Sequence, residues 1–81
     1  MTGADLTLAM LAIKNGRPPP WVSASQPIEA WLEAIPLAHC EARLPDIEEA
    51  FIETAKAGRR EAAIMLEKLI DAIDARVEAE T

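Results

Sequence analysis

Apolar residues recur every three or four positions along most of this 81-residue chain, which is the spacing of one face of an α-helix. The pattern is strongest over residues 60–78, where five apolar residues are spaced three and four apart in alternation. These five, called the apolar seam below, are Ala63, Leu66, Ile70, Ile73 and Val77. The seam fits a helix packed in a bundle within the chain, and it also fits a short coiled coil between two chains.

The first half of the chain predicts short helices separated by prolines. Residues 3–14 form the first, with Thr2 as its cap and Asn15-Gly16 as the left-handed residues that end it. Residues 17–24 contain three consecutive prolines and predict an extended linker. Trp21 in this linker either folds back onto the prolines and the core, the interpretation we favour, or serves as a ligand for an aromatic-lined groove.

Three further helices are predicted over residues 26–35, 36–43 and 46–57. Ser25 is a suitable cap for the first of them, and Pro36 separates it from the next because a residue before proline disfavours the α conformation. Leu44-Pro45-Asp46 is a second start signal, since Asp46 and Glu49 have the spacing of a capping box. The apolar stripe predicted after it consists of Ile47, Phe51 and Ala55.

Gly58 decides how the C-terminal third is arranged. A single helix from residue 46 to residue 78 would cost only about 1 kcal/mol at the glycine. However, Lys56, Arg59 and Arg60 surround it, and cations with a following glycine are typical of helix C-termini. A helix of that length would also be too long for a small domain to cover, unless two chains paired along it. We therefore favour a helical hairpin that turns near Gly58.

Residues 55–72, AKAGRREAAIMLEKLIDA, resemble the inter-helix turn of a tetratricopeptide repeat. In that family a glycine is followed five residues later by an alanine that allows two helices to pack tightly, and Gly58 and Ala63 have this spacing. The resemblance covers one repeat, and solenoids need about three. It implies a shared way of packing two helices, not membership of the family.

Composition supports an all-α fold and one domain spanning residues 1–81. The chain has no tyrosine and few β-branched residues outside its helical stripes, so we expect a small bundle of four to five helices. Cys40 and His39 are the only cysteine and histidine, which excludes an internal disulfide and argues against a zinc site or another bound cofactor. A chain this small gains stability by self-association, so a homodimer is a reasonable expectation.

The formal charge of −6 argues against nucleic acid or an anionic membrane as a partner. No apolar run is long enough to span a bilayer, and the N-terminus lacks the basic region of a signal peptide, so a cytoplasmic location is predicted. Four acids lie three and four residues apart along one edge of the last helix. These four, called the acidic face below, are Glu67, Asp71, Asp74 and Glu78.

The acidic face is the main candidate for function, either as a recognition surface for a basic partner or as a solvated face that keeps the helix soluble. His39 and Cys40 are adjacent, so on a helix they point about 100° apart and form no catalytic dyad. No catalytic or phosphate-binding motif is present. The sequence therefore predicts a non-enzymatic regulator, inhibitor or adaptor that binds another protein. The alternative is an assembly subunit that oligomerises through the apolar seam.

Overall fold

The structure is a computed structural model that describes residues 6–80. Within this range the chain forms five α-helices and no strand, which confirms the all-α prediction. The helices are α1 (Leu6–Lys14), α2 (Pro20–Ser23), α3 (Ile28–Leu32), α4 (Leu37–Lys56) and α5 (Arg60–Glu80). The predicted Thr2 cap lies outside the described residues. None of the described helices is both long enough and apolar enough to cross a membrane.

Helix α4 ends in a Schellman motif centred on Gly58. The N–H of Arg59 donates to the carbonyl of Thr54 at 2.9 Å, and the N–H of Gly58 donates to that of Ala55 at 3.2 Å. Gly58 has a φ of +77°, a conformation that glycine adopts without a steric penalty. The same motif ends α1 at Gly16, whose φ is +75°. Both glycines therefore end a helix in the left-handed conformation.

Helices α4 and α5 share the most extensive interface in the described structure. Arg76, late in α5, lies 3.6 Å from the Sγ of Cys40, early in α4. Helix α1 packs on both α4 and α5, and α3 packs on α5. The core consists of apolar side chains from these helices and from the connection between α3 and α4, and those that are at most 2% exposed include Leu6, Ile13, Leu32, Ile35, Cys40, Ile47, Ala50, Leu66, Leu69 and Ile73.

The proline segment is only partly extended. Pro19 is extended, with φ −70° and ψ 161°, and Pro20 then starts the short helix α2. The predicted linker over residues 17–24 is wrong in this part, because proline at the first position of a helix already has a suitable φ and needs no hydrogen-bond donor there. Trp21 is buried and its ring lies 5.3 Å from that of Trp31. Trp21 therefore packs in the core, which is the interpretation that the sequence analysis favoured.

Helix α3 is shorter than the predicted helix over residues 26–35. It begins at Ile28, and Pro27 occupies the cap position without a side-chain hydrogen bond. Ser25 does not cap it. Instead, Ser25 has a φ of +56° and ends α2, with the N–H of Gln26 donating to the carbonyl of Trp21 at 2.8 Å. The serine therefore acts at the end of one helix and not at the start of the next.

The predicted break at Pro45 is wrong, because α4 is continuous through it. Burial explains why. The residues of α4 that contact the core recur three and four apart across the proline, so one helix buries them all against α5. This continuous stripe is Cys40, Leu44, Ile47, Ala50, Phe51 and Thr54. Ala55, predicted to be in the stripe, is exposed, and Thr54 is buried in its place with its hydroxyl donating to the carbonyl of Ala50 at 2.9 Å.

We expect Pro45→Ala to stabilise the protein by about 1–3 kcal/mol. Alanine restores the N–H that proline removes from a helix interior and relieves the clash with the preceding turn, although the unfolded chain becomes somewhat more flexible. Urea denaturation followed by circular dichroism measures the change. Pro36→Ala is the control and should give no such gain, because Pro36 precedes the first turn of α4. Equal or lower stability of Pro45→Ala would indicate two separate helices.

Candidate functional site

The acidic face lies on the side of α5 that points away from the core. Glu67, Asp71, Asp74 and Glu78 are all exposed, and their spacing aligns them along about three turns of the helix. Glu78 makes a further interaction within the described residues. The four carboxylates predicted from sequence are therefore brought together on one continuous surface.

The apolar seam lies about 100° around α5 from the acidic face, at 3.6 residues per turn, and packs inside the chain. Leu66 and Ile73 are fully buried and Ala63 is 7% exposed. Ile70 and Val77 are partly buried against the same core. These contacts are with helices of the same chain, so the seam builds the core. A role for the seam as an oligomer interface stays a prediction.

An apolar groove, called the turn groove below, adjoins the acidic face at the N-terminal end of α5. It lies between α4 and α5 beside their connection and has a volume of about 420 Å³. Glu67 belongs to both the groove and the acidic face. The groove is lined by Phe51, Ala55, Gly58, Arg60, Ala63, Ile64 and Glu67.

Ile64 is a large apolar residue that sequence analysis left without a role. Its side chain is 43% exposed at the edge of the turn groove. It precedes Glu67 by three residues, which places it on the same side of α5 as the acidic face. The three-residue spacing between Ile64 and Glu67 is visible in the sequence, and it was the signal that could have placed Ile64 beside the acidic face. The rest of the groove depends on how α4 meets α5, which sequence spacing alone does not specify.

Arg76 does not neutralise the acidic face, because its guanidinium turns inward. It donates to the carbonyls of Leu32, the last residue of α3, and of Ile35, which follows that helix, and its Nε lies 2.8 Å from a carboxylate oxygen of Glu80. The hydrogen bond that Arg76 donates to the Glu80 carboxylate holds the pKa of Arg76 above its usual value. Arg76 therefore acts as a clamp that ties the α3–α4 connection to α5.

Cys40 lies beneath this clamp. Its thiol is fully buried, and its Sγ is 3.6 Å from Nη1 of Arg76. Burial raises the pKa of the Cys40 thiol, and the Arg76 charge offsets only part of that rise. A buried, protonated thiol is a poor nucleophile. Among the described residues, no group of three His, Cys, Asp or Glu side chains is placed to hold a metal ion.

The chain matches no protein-family model, no curated protein and no solved structure. Its function is therefore argued from the acidic face, the turn groove and the packing that presents them.

We expect the Cys40 thiol to react slowly with a disulfide reagent in the native protein and roughly tenfold faster, or more, in Arg76→Met. The substitution removes charge-assisted hydrogen bonds worth about 1.5–3 kcal/mol, and each 1.4 kcal/mol is a tenfold change in the population of the opened form. Removing the arginine also raises the thiol pKa further, which slows the reaction. An increase can therefore come only from opening. The measurement is the absorbance of the released thiolate against time.

The matched control is Arg43→Met. Arg43 forms an exposed ion pair with Asp46 at 3.5 Å, and such surface pairs contribute little. The Cys40 thiol of Arg43→Met should react with the disulfide reagent at the same rate as that of the unsubstituted protein. Equal rates in both variants and the unsubstituted protein would contradict the clamp.

Proposed function

We propose that this protein is a small non-enzymatic regulator, inhibitor or adaptor that binds another protein through the acidic face of α5. The observation that carries the proposal is the alignment of Glu67, Asp71, Asp74 and Glu78 on one exposed helix surface with an apolar groove at its end. The groove gives apolar contact area, and the carboxylates give charge complementarity. Interfaces of this kind combine apolar anchors with a polar surround.

The cost of the acidic face to the helix supports a binding role. Like charges three or four residues apart destabilise a helix by about 0.2–0.5 kcal/mol per pair. Glu78 and Glu80 also lie in the last turn of α5, which has no basic residue, and negative charge is unfavourable at that end of a helix. A face kept only for solubility could alternate acids with lysines at no such cost.

The partner that fits this surface is a protein with a basic amphipathic helix. An apolar side chain of that helix would occupy the turn groove beside Ile64, and its lysines or arginines would lie along the acidic face. Helix-in-groove binding uses anchors spaced three, four and seven residues apart, which matches the spacing of the carboxylates. The charge pairing would speed association and make it dependent on salt.

The geometry we propose for this surface is a hairpin of α4 and α5, turned at Gly58 and completed into a bundle by the shorter helices. The glycine conformation, the helix ends at Lys56 and Arg60 and the contact between Arg76 and Cys40 support it. In this arrangement the core holds α5 from one side only. The other side of α5 is left for a partner.

An assembly subunit that oligomerises through α5 is the second candidate. Ile70 and Val77 favour it, because they belong to the apolar seam and are only partly buried within the chain. Sedimentation velocity over a concentration series distinguishes the two candidates. A monomer at all concentrations excludes the assembly role, whereas a dimer weakened by Ile70→Ser with Val77→Ser supports it.

We expect the variant Glu67→Gln, Asp71→Asn, Asp74→Asn to lose at least tenfold in affinity for a protein partner while gaining slightly in stability. Three charge pairs are lost in the complex, whereas like-charge repulsion is relieved in the free helix. Glu78 stays unchanged because it has another interaction within the chain. Proteins captured from native lysate by each variant are compared by quantitative mass spectrometry, and stability is measured by urea denaturation.

The matched control is Glu41→Gln, Glu48→Gln, Glu49→Gln. These residues are exposed on α4 and the substitutions change the formal charge by the same amount. The control should capture the same partner as the unsubstituted protein. A partner lost equally from both variants would show a general effect of net charge, and a partner kept by both would exclude the acidic face as the binding surface.

A further inference from the structure

We propose that a second site, a cleft at the opposite edge of α5, binds a small anionic molecule with an apolar body. The cleft lies between the end of α1, the proline segment and the first turns of α5, and it has a volume of about 530 Å³. Small-molecule sites are typically about 300–1,000 Å³. No residue of the acidic face lines this cleft, and Arg60 is the one lining residue that it shares with the turn groove.

Positive charge is concentrated in this cleft. Arg17, Arg59 and Arg60 line it, and Glu61 is the one acid among its lining residues. These three arginines are three of the eight basic residues in a chain whose formal charge is −6. The other two arginines are each paired with a carboxylate one helical turn away. The cleft is therefore a cationic region on an acidic protein.

The three arginines differ in how they are held. Nη1 of Arg59 donates to the carbonyl of Lys14 at the end of α1, and its Nη2 lies beside Gly16. This fixes one guanidinium against the wall of the cleft. The guanidinium groups of Arg17 and Arg60 make no hydrogen bond or ion pair to any described residue. They are therefore available to a phosphate or carboxylate group, which guanidinium binds in a bidentate manner.

The rest of the cleft is apolar and already formed. Pro19 is fully buried, and the neighbouring Trp21 is anchored by its contact with Trp31, so the proline wall is fixed in place. Val22 and Met65 also line the cleft, and Val22 is 53% exposed. An apolar group bound there would cover Val22 without reordering the backbone. Preorganisation of this kind lowers the cost of binding.

The charge distribution argues for a small molecule and against a nucleic acid. A nucleic acid needs basic residues along an extended surface, and the basic residues here are confined to a concave patch on a protein with excess negative charge. The shared chemistry required of the ligand is an anionic head attached to an apolar body. A phosphate and a carboxylate both satisfy it, and the experiment separates them.

The test uses phenyl phosphate and benzoate as probes, with inorganic phosphate and phenol as controls that carry only one half of the chemistry. Each is titrated into the full-length ¹⁵N-labelled protein and followed by NMR. We expect at least one of the two probes to bind at millimolar concentration or below, at least tenfold more tightly than either control. The largest shift changes should be at the amides of Arg17, Val22 and Glu61. Absence of binding by both probes, or shifts spread over other surfaces, would overturn the proposal.

The double variant Arg17→Gln, Arg60→Gln should lose at least tenfold in affinity for the probe that binds. Each single variant should lose about threefold, and the single variants replace the double variant in the test if the latter does not fold. Lys56→Gln with Lys68→Gln is the matched control, since both lysines are exposed outside the cleft and the charge change is the same. Equal loss in both double variants would mean non-specific attraction and would overturn the site. The acidic-face variant should bind the probe unchanged, so this proposal and the protein-binding proposal can fail separately.

Discussion

Burial of the apolar stripe of α5 against α4 is the interaction on which the other contacts depend. Leu66, Leu69 and Ile73 are fully buried there, and burial of each such side chain contributes about 1.5–3 kcal/mol. The exposed ion pairs add much less. The short helices are then fixed to this pair by arginines at its two ends. Arg59 donates to the carbonyl end of α1, and Arg76 donates to carbonyls at the end of α3 and just after it.

The same packing determines what α5 presents to solvent. Because α4, α1 and α3 cover one side of the helix, the acidic face and Ile64 are left on the other. A helix held from one side can bind a partner on its free side without opening the core. The two proposed sites adjoin the first turns of α5 on different edges, with an apolar groove and carboxylates on one edge and an arginine-lined cleft on the other.

Residue spacing predicted the helical class, the start of α5 and the outward position of the acidic face, because these depend on periodicity within one segment. It failed at Pro45 and at Ser25, where local signals for a helix start were overridden. At Pro45 the stripe from Cys40 to Thr54 is buried most effectively by one helix, and at Ser25 a left-handed residue was needed to end α2. The arginine clamps and the cleft join residues more than 40 positions apart, and no spacing rule predicts such contacts from one sequence.

The central claim is that the chain folds back between α4 and α5, so that the apolar seam is covered and the acidic face is free. Electron–electron double resonance between spin labels at positions 41 and 78, in a Cys40→Ala background diluted with unlabelled protein, tests it directly. Antiparallel neighbouring helices lie 8–10 Å apart, so with the label arms a distance of about 10–25 Å is expected. A distance near 55 Å, the rise of 37 residues in one straight helix at about 1.5 Å each, would contradict it.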